Sequence, residues 1–307
     1  MKVLYDEEFE NYNGPATALA LGTFDGVHRG HQKVINKAKE LAENNNLASG
    51  VFSFNPHPRR VLNSAEGPRV ICSHRQKEEI LRRLELEYYF CQKFTSDFSR
   101  TQFEEFVANI LVKKLKSQYL VIGEDFTFGY KGEGNSEDLK QLGEDIGFNV
   151  KVLSPLTTDN NKKISSTRIR KLIAAGKVRE IPELLGRYYT MAGKVVHGSG
   201  RGHELGYPTA NLKLEADYIL PRSGVYAGYA NYKGGKYKAA ANFGYNPTFS
   251  EQDYRIEVYI INLDKDIYGE RVSISPVEFI REEEKFDNIS ELKKTIQSDI
   301  LYTKNVL

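Results

Sequence analysis

Ala16-Thr17-Ala18-Leu19-Ala20-Leu21-Gly22-Thr23-Phe24-Asp25-Gly26-Val27-His28-Arg29-Gly30-His31 is the stretch that decides the fold. Ala16 to Phe24 reads as a β-strand. Val34, Ile35, Ala38, Leu41 and Ala42 then recur at helical spacing until Asn44-Asn45-Asn46 stops the helix. A strand that runs through glycines straight into a helix opens a parallel α/β sheet, whose ligands bind at the carboxyl ends of its strands. Glycines there let the backbone approach a phosphate closely, and the helix N-terminus offers N–H donors. Imidazoles three residues apart, on His28 and His31, lie on one side of the first turn. Together these make a polyphosphate cradle. A zinc site is disfavoured, because this spacing supplies two ligands and neither Cys72 nor Cys91 belongs to a recognisable pair.

Outward from this junction, strands are expected at Leu47 to Phe54, Tyr88 to Phe94, Tyr119 to Asp125 and Phe148 to Leu153. Phe103, Phe106, Val107, Ile110 and Leu111 form a helical stripe before the fourth strand, and Leu139, Leu142 and Ile146 another before the fifth. Such alternation predicts a parallel sheet covered on both faces. After residue 187 short β-rich pieces are separated by glycine or Asn-Pro turns, with a Gly234-Gly235 hairpin signal, and an antiparallel sandwich or barrel follows from that texture. One amphipathic helix closes the chain, with Ser290 as its expected N-cap and Leu292, Ile296 and Ile300 on its buried side. We divide the chain at 1–186 and 187–307.

The 307 residues exceed what one hydrophobic core usually organises. Apolar runs such as Ala18 to Leu21 are too short to cross a bilayer, and the N-terminus is acidic where a targeting peptide would be basic, so no membrane partner and a cytoplasmic location are expected. Two cysteines fit a reducing compartment and buried apolar roles. The residues up to Gly186 carry 27 basic and 25 acidic side chains and the rest 16 of each, which is no basic excess for nucleic acid.

Three more segments follow predicted strands: Asn55-Pro56-His57-Pro58 after Phe54, Gly123-Glu124-Asp125-Phe126-Thr127-Phe128-Gly129, and Ile164-Ser165-Ser166-Thr167-Arg168-Ile169-Arg170. A parallel sheet brings all of them to one edge with Gly22–His31. As an ordered set they resemble the motifs of the nucleotidyltransferase superfamily in the form carried by bacterial FAD synthetases. That resemblance implies adenylyl transfer, in which the phosphate of FMN attacks the α-phosphorus of ATP and pyrophosphate leaves. It gives His28 and His31 the departing phosphates, with Ser166, Thr167 and Arg170 closing from the other side and Lys163 a weaker candidate. Gly22, Phe24, Asp25, Gly26, Asp125, Phe128 and Gly129 belong to its ATP pocket, and Asn55, Pro56, His57 and Pro58 to its flavin end.

In the second half Gly193, Gly198, Gly200, Gly202 and Gly206 form a glycine-rich flap ending in Tyr207-Pro208-Thr209-Ala210-Asn211, a candidate grip for Mg-nucleotide phosphates. Arg201 to Asn211 resembles the Pro-Thr-Ala-Asn motif of riboflavin kinases. Asn242-Phe243-Gly244-Tyr245-Asn246-Pro247-Thr248-Phe249 and Arg255-Ile256-Glu257-Val258-Tyr259 resemble two further elements. The resemblance implies that Glu257 is the base for the ribityl hydroxyl, that Thr209 and Asn211 are Mg²⁺ and phosphate ligands, and that Gly198, Gly200, Gly202, Gly206 and Pro208 line the ATP site. Tyr259 and Asn262 depart from residues common in that family.

The expected fold is thus an α/β nucleotidyltransferase-type doubly wound parallel sheet followed by an antiparallel β-barrel with a C-terminal helix. The expected function is conversion of riboflavin to FMN and of FMN to FAD, with ATP as co-substrate and Mg²⁺ as cofactor; a weak homo-oligomer is compatible with it. Two other readings compete: a domain reduced to flavin binding or regulation, opposed by intact His28, His31, Thr209, Asn211 and Glu257, and an RNA-binding nucleotidyltransferase relative, opposed by the flat charge balance.

Overall fold

A computed structural model of the chain describes residues 1–62, 67–198, 205–245 and 254–307. They form two compact units, Met1–Pro68 with His74–Ser165, and Arg69–Ser73 with Ser166–Leu307.

The first unit is built on six strands: β1 (Lys2–Tyr5), β2 (Thr17–Leu21), β3 (Ala48–Asn55), β4 (Tyr88–Lys93), β5 (Ser117–Gly123) and β6 (Asn149–Leu153). They lie in the order β1-β4-β3-β2-β5-β6, and every pairing is parallel. Five were expected. The sixth, β1, is a four-residue edge strand whose alternation is too short to stand out in sequence. Helices α1 (Asp6–Phe9), α2 (Arg29–Asn44), α3 (Pro58–Leu62), α4 (His74–Arg83), α5 (Phe103–Glu105) and α6 (Ser136–Ile146) surround the sheet.

All five residues of β2 are buried, as a central strand covered on both faces requires. Its pleat divides the core: Ala20 packs with Val34, Ile35 and Ala38 of α2 and Leu81 of α4, whereas Leu19 and Leu21 pack with Phe106, Val107 and Leu111 on the other side. The segment carrying Phe106 is not an ordinary α-helix. Beyond α5 it widens into a π-helix, Phe106–Lys114, closed by a Leu115 N–H to Ile110 carbonyl bond of 3.0 Å. The buried residues Phe106, Leu111 and Leu115 recur every four to five positions, which suits that wider winding.

In the second unit α7 (Ser166–Ala174) and α8 (Ile181–Leu185) precede a closed antiparallel barrel. Its strands are β7 (Met191–Val196), β8 (Ala210–Leu214), β9 (Gly224–Tyr232), β10 (Gly235–Tyr245), β11 (Tyr254–Ile260) and β12 (Arg271–Arg281), in the order β10-β11-β8-β7-β12-β9. The β9–β10 hairpin turns at Lys233 (φ 45°) and Gly234 (φ 82°), two left-handed residues of the kind that match strand twist, one position earlier than the Gly234-Gly235 signal. The chain ends in α9 (Ile289–Val306), capped by Asn288, whose side chain accepts the Glu291 N–H at 2.9 Å. Ser290, the expected cap, lies inside the first turn instead, because Asn288 takes the extended conformation (φ −150°) that a cap needs. Compactness divides the chain at Ser166, whereas the change from α/β to all-β texture follows Gly186.

Candidate functional site

Strand order reverses between β2 and β5: from β2 the chain builds outward to β3 and β4, then returns to add β5 and β6 on the other side. A crevice opens at such a switch point beyond the carboxyl ends of the two strands. Gly22–His31 leaves β2 there and Asp125–Gly129 follows β5.

The turn after β2 is held in unusual backbone conformations. Phe24 (φ 47°), Gly26 (φ 79°) and Val27 (φ 40°) are all left-handed, a region that phenylalanine and β-branched valine avoid when unconstrained. Phe24, Asp25 and Val27 are buried, the Gly22 N–H donates to the Phe52 carbonyl at 3.2 Å, and the Gln32 side chain donates to the Val27 carbonyl at 2.9 Å. His28 is the N-cap of α2, its Nδ1 accepting the His31 N–H at 3.1 Å. With Nδ1 an acceptor, the neutral ring carries its proton on Nε2, which makes that atom a donor suited to a phosphate oxygen. The two imidazoles stack with centroids 3.5 Å apart, and Phe24 meets His31 edge-on at 5.3 Å. A Cβ on Gly30 would press on the His28 ring at 3.1 Å and come within 3.7 Å of the Ile164 carbonyl, so glycine allows the close approach of the Ile164 segment to the histidine turn.

Asp125 joins the same neighbourhood. Its hydrogen bond from Lys163 (2.6 Å) holds its carboxyl below the ordinary range, with burial opposing and the nearby His28 adding to the fall. The pair is solvent-exposed, so it orients more than it stabilises. Phe126 and Phe128 stack at 5.6 Å, and Phe128 packs on Phe103 and Phe106. A Cβ at Gly129 (φ 77°) would collide with Phe103. Asn55 ends β3 and is joined to Pro56 by a cis peptide; the His57 Nδ1 accepts the Arg59 N–H at 3.2 Å, and Pro58 opens α3. Preceding them, Phe54 lies among Phe52, Phe94, Phe98 and Phe106, an aromatic wall at the carboxyl end of β3.

Thus the first unit brings together His28, His31, the Gly22–Gly26 turn, Asp125 and Lys163. Ser166, Thr167 and Arg170 fall on α7, which belongs to the second unit, and the Arg170 Nε donates to the Arg69 carbonyl at 2.8 Å.

The barrel carries a second constellation. Along β11, Ile256, Val258 and Ile260 are buried, so Glu257 and Tyr259 point to the outer face. Glu257 is the register partner of Asn211 on β8 and of Asn242 on β10, and directly paired residues share a face. An Asn–Glu–Asn row therefore crosses three strands. A Cβ at Gly198 would collide with the Asn211 amide, which fits that glycine to cover the row. Thr209 precedes Asn211 by two residues, immediately before β8, and Pro208 and left-handed Gly206 (φ 84°) lead into them. Gly193 has a different role from the flap glycine expected: it lies within β7 against the Lys213 backbone. Gly200 and Gly202, with the rest of 199–204, and Asn246 to Phe249 lie outside the described residues.

Asn242 opens one of the motifs quoted from sequence but is given no role there. Its Nδ2 donates to Glu283 at 3.0 Å, and its buried Oδ1 has no hydrogen-bond partner among the described residues. Only strand register reveals its place beside Glu257. Tyr259 packs edge-on against Tyr207 at 5.7 Å, and Asn262 occupies a left-handed turn position (φ 63°) that asparagine tolerates better than most residues.

Family models described as FAD synthetase and riboflavin kinase match residues 11–168 and 185–307. A bifunctional riboflavin kinase/FMN adenylyltransferase of Listeria monocytogenes is 39% identical over 283 residues, covering 92% of this chain and 89% of the relative. The one from Bacillus subtilis is 37% identical, covering 92% and 90%. Among solved structures, a crystal structure named as a macrolide-efflux protein from Streptococcus pneumoniae is 33% identical and superposes with a TM-score of 0.89 over 99% of both chains.

Proposed function

The chain belongs to the bifunctional riboflavin kinase/FMN adenylyltransferase family, and from that premise we propose how its two units divide the work. It phosphorylates riboflavin to FMN and adenylylates FMN to FAD, using ATP in both steps. The observation that carries the assignment of residues is the meeting of the His28–His31 pair with Asp125 at the β2/β5 switch point, separate from the Asn211–Glu257–Asn242 row on the barrel.

In adenylyl transfer the FMN phosphate already brings an anionic nucleophile, so no base and no covalent intermediate are needed. What remains is alignment and neutralisation of charge as pyrophosphate leaves. His28 and His31 donate to the departing phosphates; for Ser166, Thr167 and Arg170 the phosphate-binding role rests on the family resemblance alone. Gly22, Phe24, Asp25, Gly26 and the Asp125–Gly129 loop bound the ATP pocket, with Lys163 holding Asp125. Asn55 to Pro58 belong to the flavin end.

In the kinase step the ribityl hydroxyl is a poor nucleophile. Glu257 accepts its proton as the oxygen attacks the γ-phosphorus of ATP, while ADP carries away the electron pair of the breaking bond. Thr209 and Asn211 offer hard oxygen donors to Mg²⁺. Among the described residues no group of three His, Cys, Asp or Glu could hold a metal. When bound, Mg²⁺ would neutralise phosphate charge. The reading puts the enzyme in the cytoplasm; among the described residues no helix is long and apolar enough to cross a membrane.

Incubating purified protein with riboflavin and MgATP and following flavins by chromatography tests it. FMN should appear first and FAD after it. Absence of either product overturns the corresponding half.

A further inference from the structure

Beneath the turn after β2 lies an ammonium group that the chemistry above does not use. Lys77, on α4, is only 7% exposed. Its Nζ donates to the Thr23 carbonyl at 2.7 Å and to the Ser53 hydroxyl at 3.4 Å, and that hydroxyl donates to the same carbonyl at 3.0 Å. Among the described residues no carboxylate pairs with this ammonium. A charge withdrawn from water without a counter-ion is costly, and a core lysine could be replaced by an apolar side chain of similar length without that cost. The site therefore carries a charge that packing alone does not explain.

The Thr23 carbonyl shares a planar trans peptide with the Phe24 N–H, and the two groups point in opposite directions. Drawing the carbonyl onto Lys77 turns the Phe24 N–H away from the core. It also braces one end of a turn whose Phe24 and Val27 occupy left-handed conformations, as Gln32 braces the other through the Val27 carbonyl.

We propose that Lys77 is a positioning residue for adenylyl transfer: through the Thr23 carbonyl it fixes the Gly22–Val27 turn in the form that presents the Phe24 N–H to the ATP polyphosphate, with a fixed positive charge behind it. This rests on the adenylyltransferase reading of the first unit. Preorganised donors of this kind act without reorganising as charge develops, which is why a residue one bond removed from the ligand still affects the rate.

The test is steady-state kinetics of FAD formation from FMN by the full-length chain and its Lys77→Met, Lys77→Arg and Ser53→Ala variants. Lys77→Met should raise the KM for ATP about tenfold or more and lower kcat, while the KM for FMN, and FMN production from riboflavin, stay within about twofold of the parent. Lys77→Arg keeps a charged donor and should recover most of the ATP dependence. Ser53→Ala should move the same parameter in the same direction by about threefold. Unchanged ATP kinetics in Lys77→Met, a parallel rise in both KM values, or an arginine variant no better than methionine would overturn the proposal. Should Lys77→Met fail to fold, Ser53→Ala decides: an unaltered KM for ATP sinks the idea. A parental chain that makes no FAD from FMN and ATP overturns the functional reading instead.

Discussion

Glu257 and the His28–His31 pair belong to different compact units, so each can be altered with the other activity as an internal control. Glu257→Gln keeps size and hydrogen bonding but removes the carboxylate that accepts the ribityl proton. FMN formation should fall about 10²–10⁴-fold while supplied FMN is still converted to FAD at nearly the parental rate. A joint fall, with folding verified by circular dichroism, would make Glu257 structural. His28→Ala with His31→Ala should give the mirror image: FAD formation lost by at least about 10²-fold and FMN accumulating from riboflavin. His74 offers a test of a different kind. It lies beside Tyr5 and Tyr89, with Nε2 3.0 Å from Glu78 and Lys77 on the same helix; burial lowers its pKa, Lys77 adds to that, and Glu78 opposes without prevailing. The folded chain therefore takes up this proton less readily than the unfolded one, whose histidine titrates near 6.5. The His74 contribution is intact above that value and is lost as pH falls through the depressed folded value. Thermal melts from about pH 7 to about pH 5 should show a steeper decline for the parent than for His74→Phe. Equal slopes would remove His74 from the acid sensitivity.

At the scale of elements, what sequence disclosed was whatever is written locally. β2, its turn and α2 could be read because an apolar strand, the glycines after it and helical spacing leave their marks within 27 residues, Ala16 to Ala42. The Glu257 strand could be read from alternation. Register could not: Asn242 stands beside Glu257 through a strand pairing, and Lys77 meets Thr23 across 54 positions. Neither relation has a local signature. The π-winding after α5 was hidden because spacings of three, four and five residues overlap in so short a stripe. The cap of α9 was misplaced for a related reason: Asn288 and Ser290 are both competent residues, and only the backbone angle chooses between them. That choice is testable. Asn288→Ala should cost about 1 kcal/mol in urea unfolding, whereas Ser290→Ala should be nearly neutral. The reverse ranking would restore the cap expected from sequence.

At the scale of the whole molecule, the kinase half can be cut at two places, and they are not equivalent. We expect a fragment from Arg187 to Leu307 to fold and make FMN, since it holds every barrel strand and both Glu257 and Asn211. It omits α7 and α8, however, whose Ile169, Ile173, Ile181, Leu184 and Leu185 are buried, as is Val178 between them. Arg179 in the same segment pairs with Glu278 of β12. The family models leave 169–184 unassigned, although the compact unit includes it. Burial of one such aliphatic side chain contributes about 1.5–3 kcal/mol, so even partial loss of this cover matters in a domain of this size. A fragment from Ser166 to Leu307 should therefore melt at least about 5 °C above the shorter one. Both lack Arg69–Ser73, and with it the Val70–Tyr218 bridge and the 2.9 Å Ser73–Glu215 bond, so both should melt below the barrel within the intact chain. Both should convert riboflavin and MgATP to FMN, and neither should make FAD. Identical melting of the two fragments would detach α7 and α8 from the kinase unit; a well-folded longer fragment that binds riboflavin and MgATP but yields no FMN would mean that the barrel does not carry the kinase chemistry by itself.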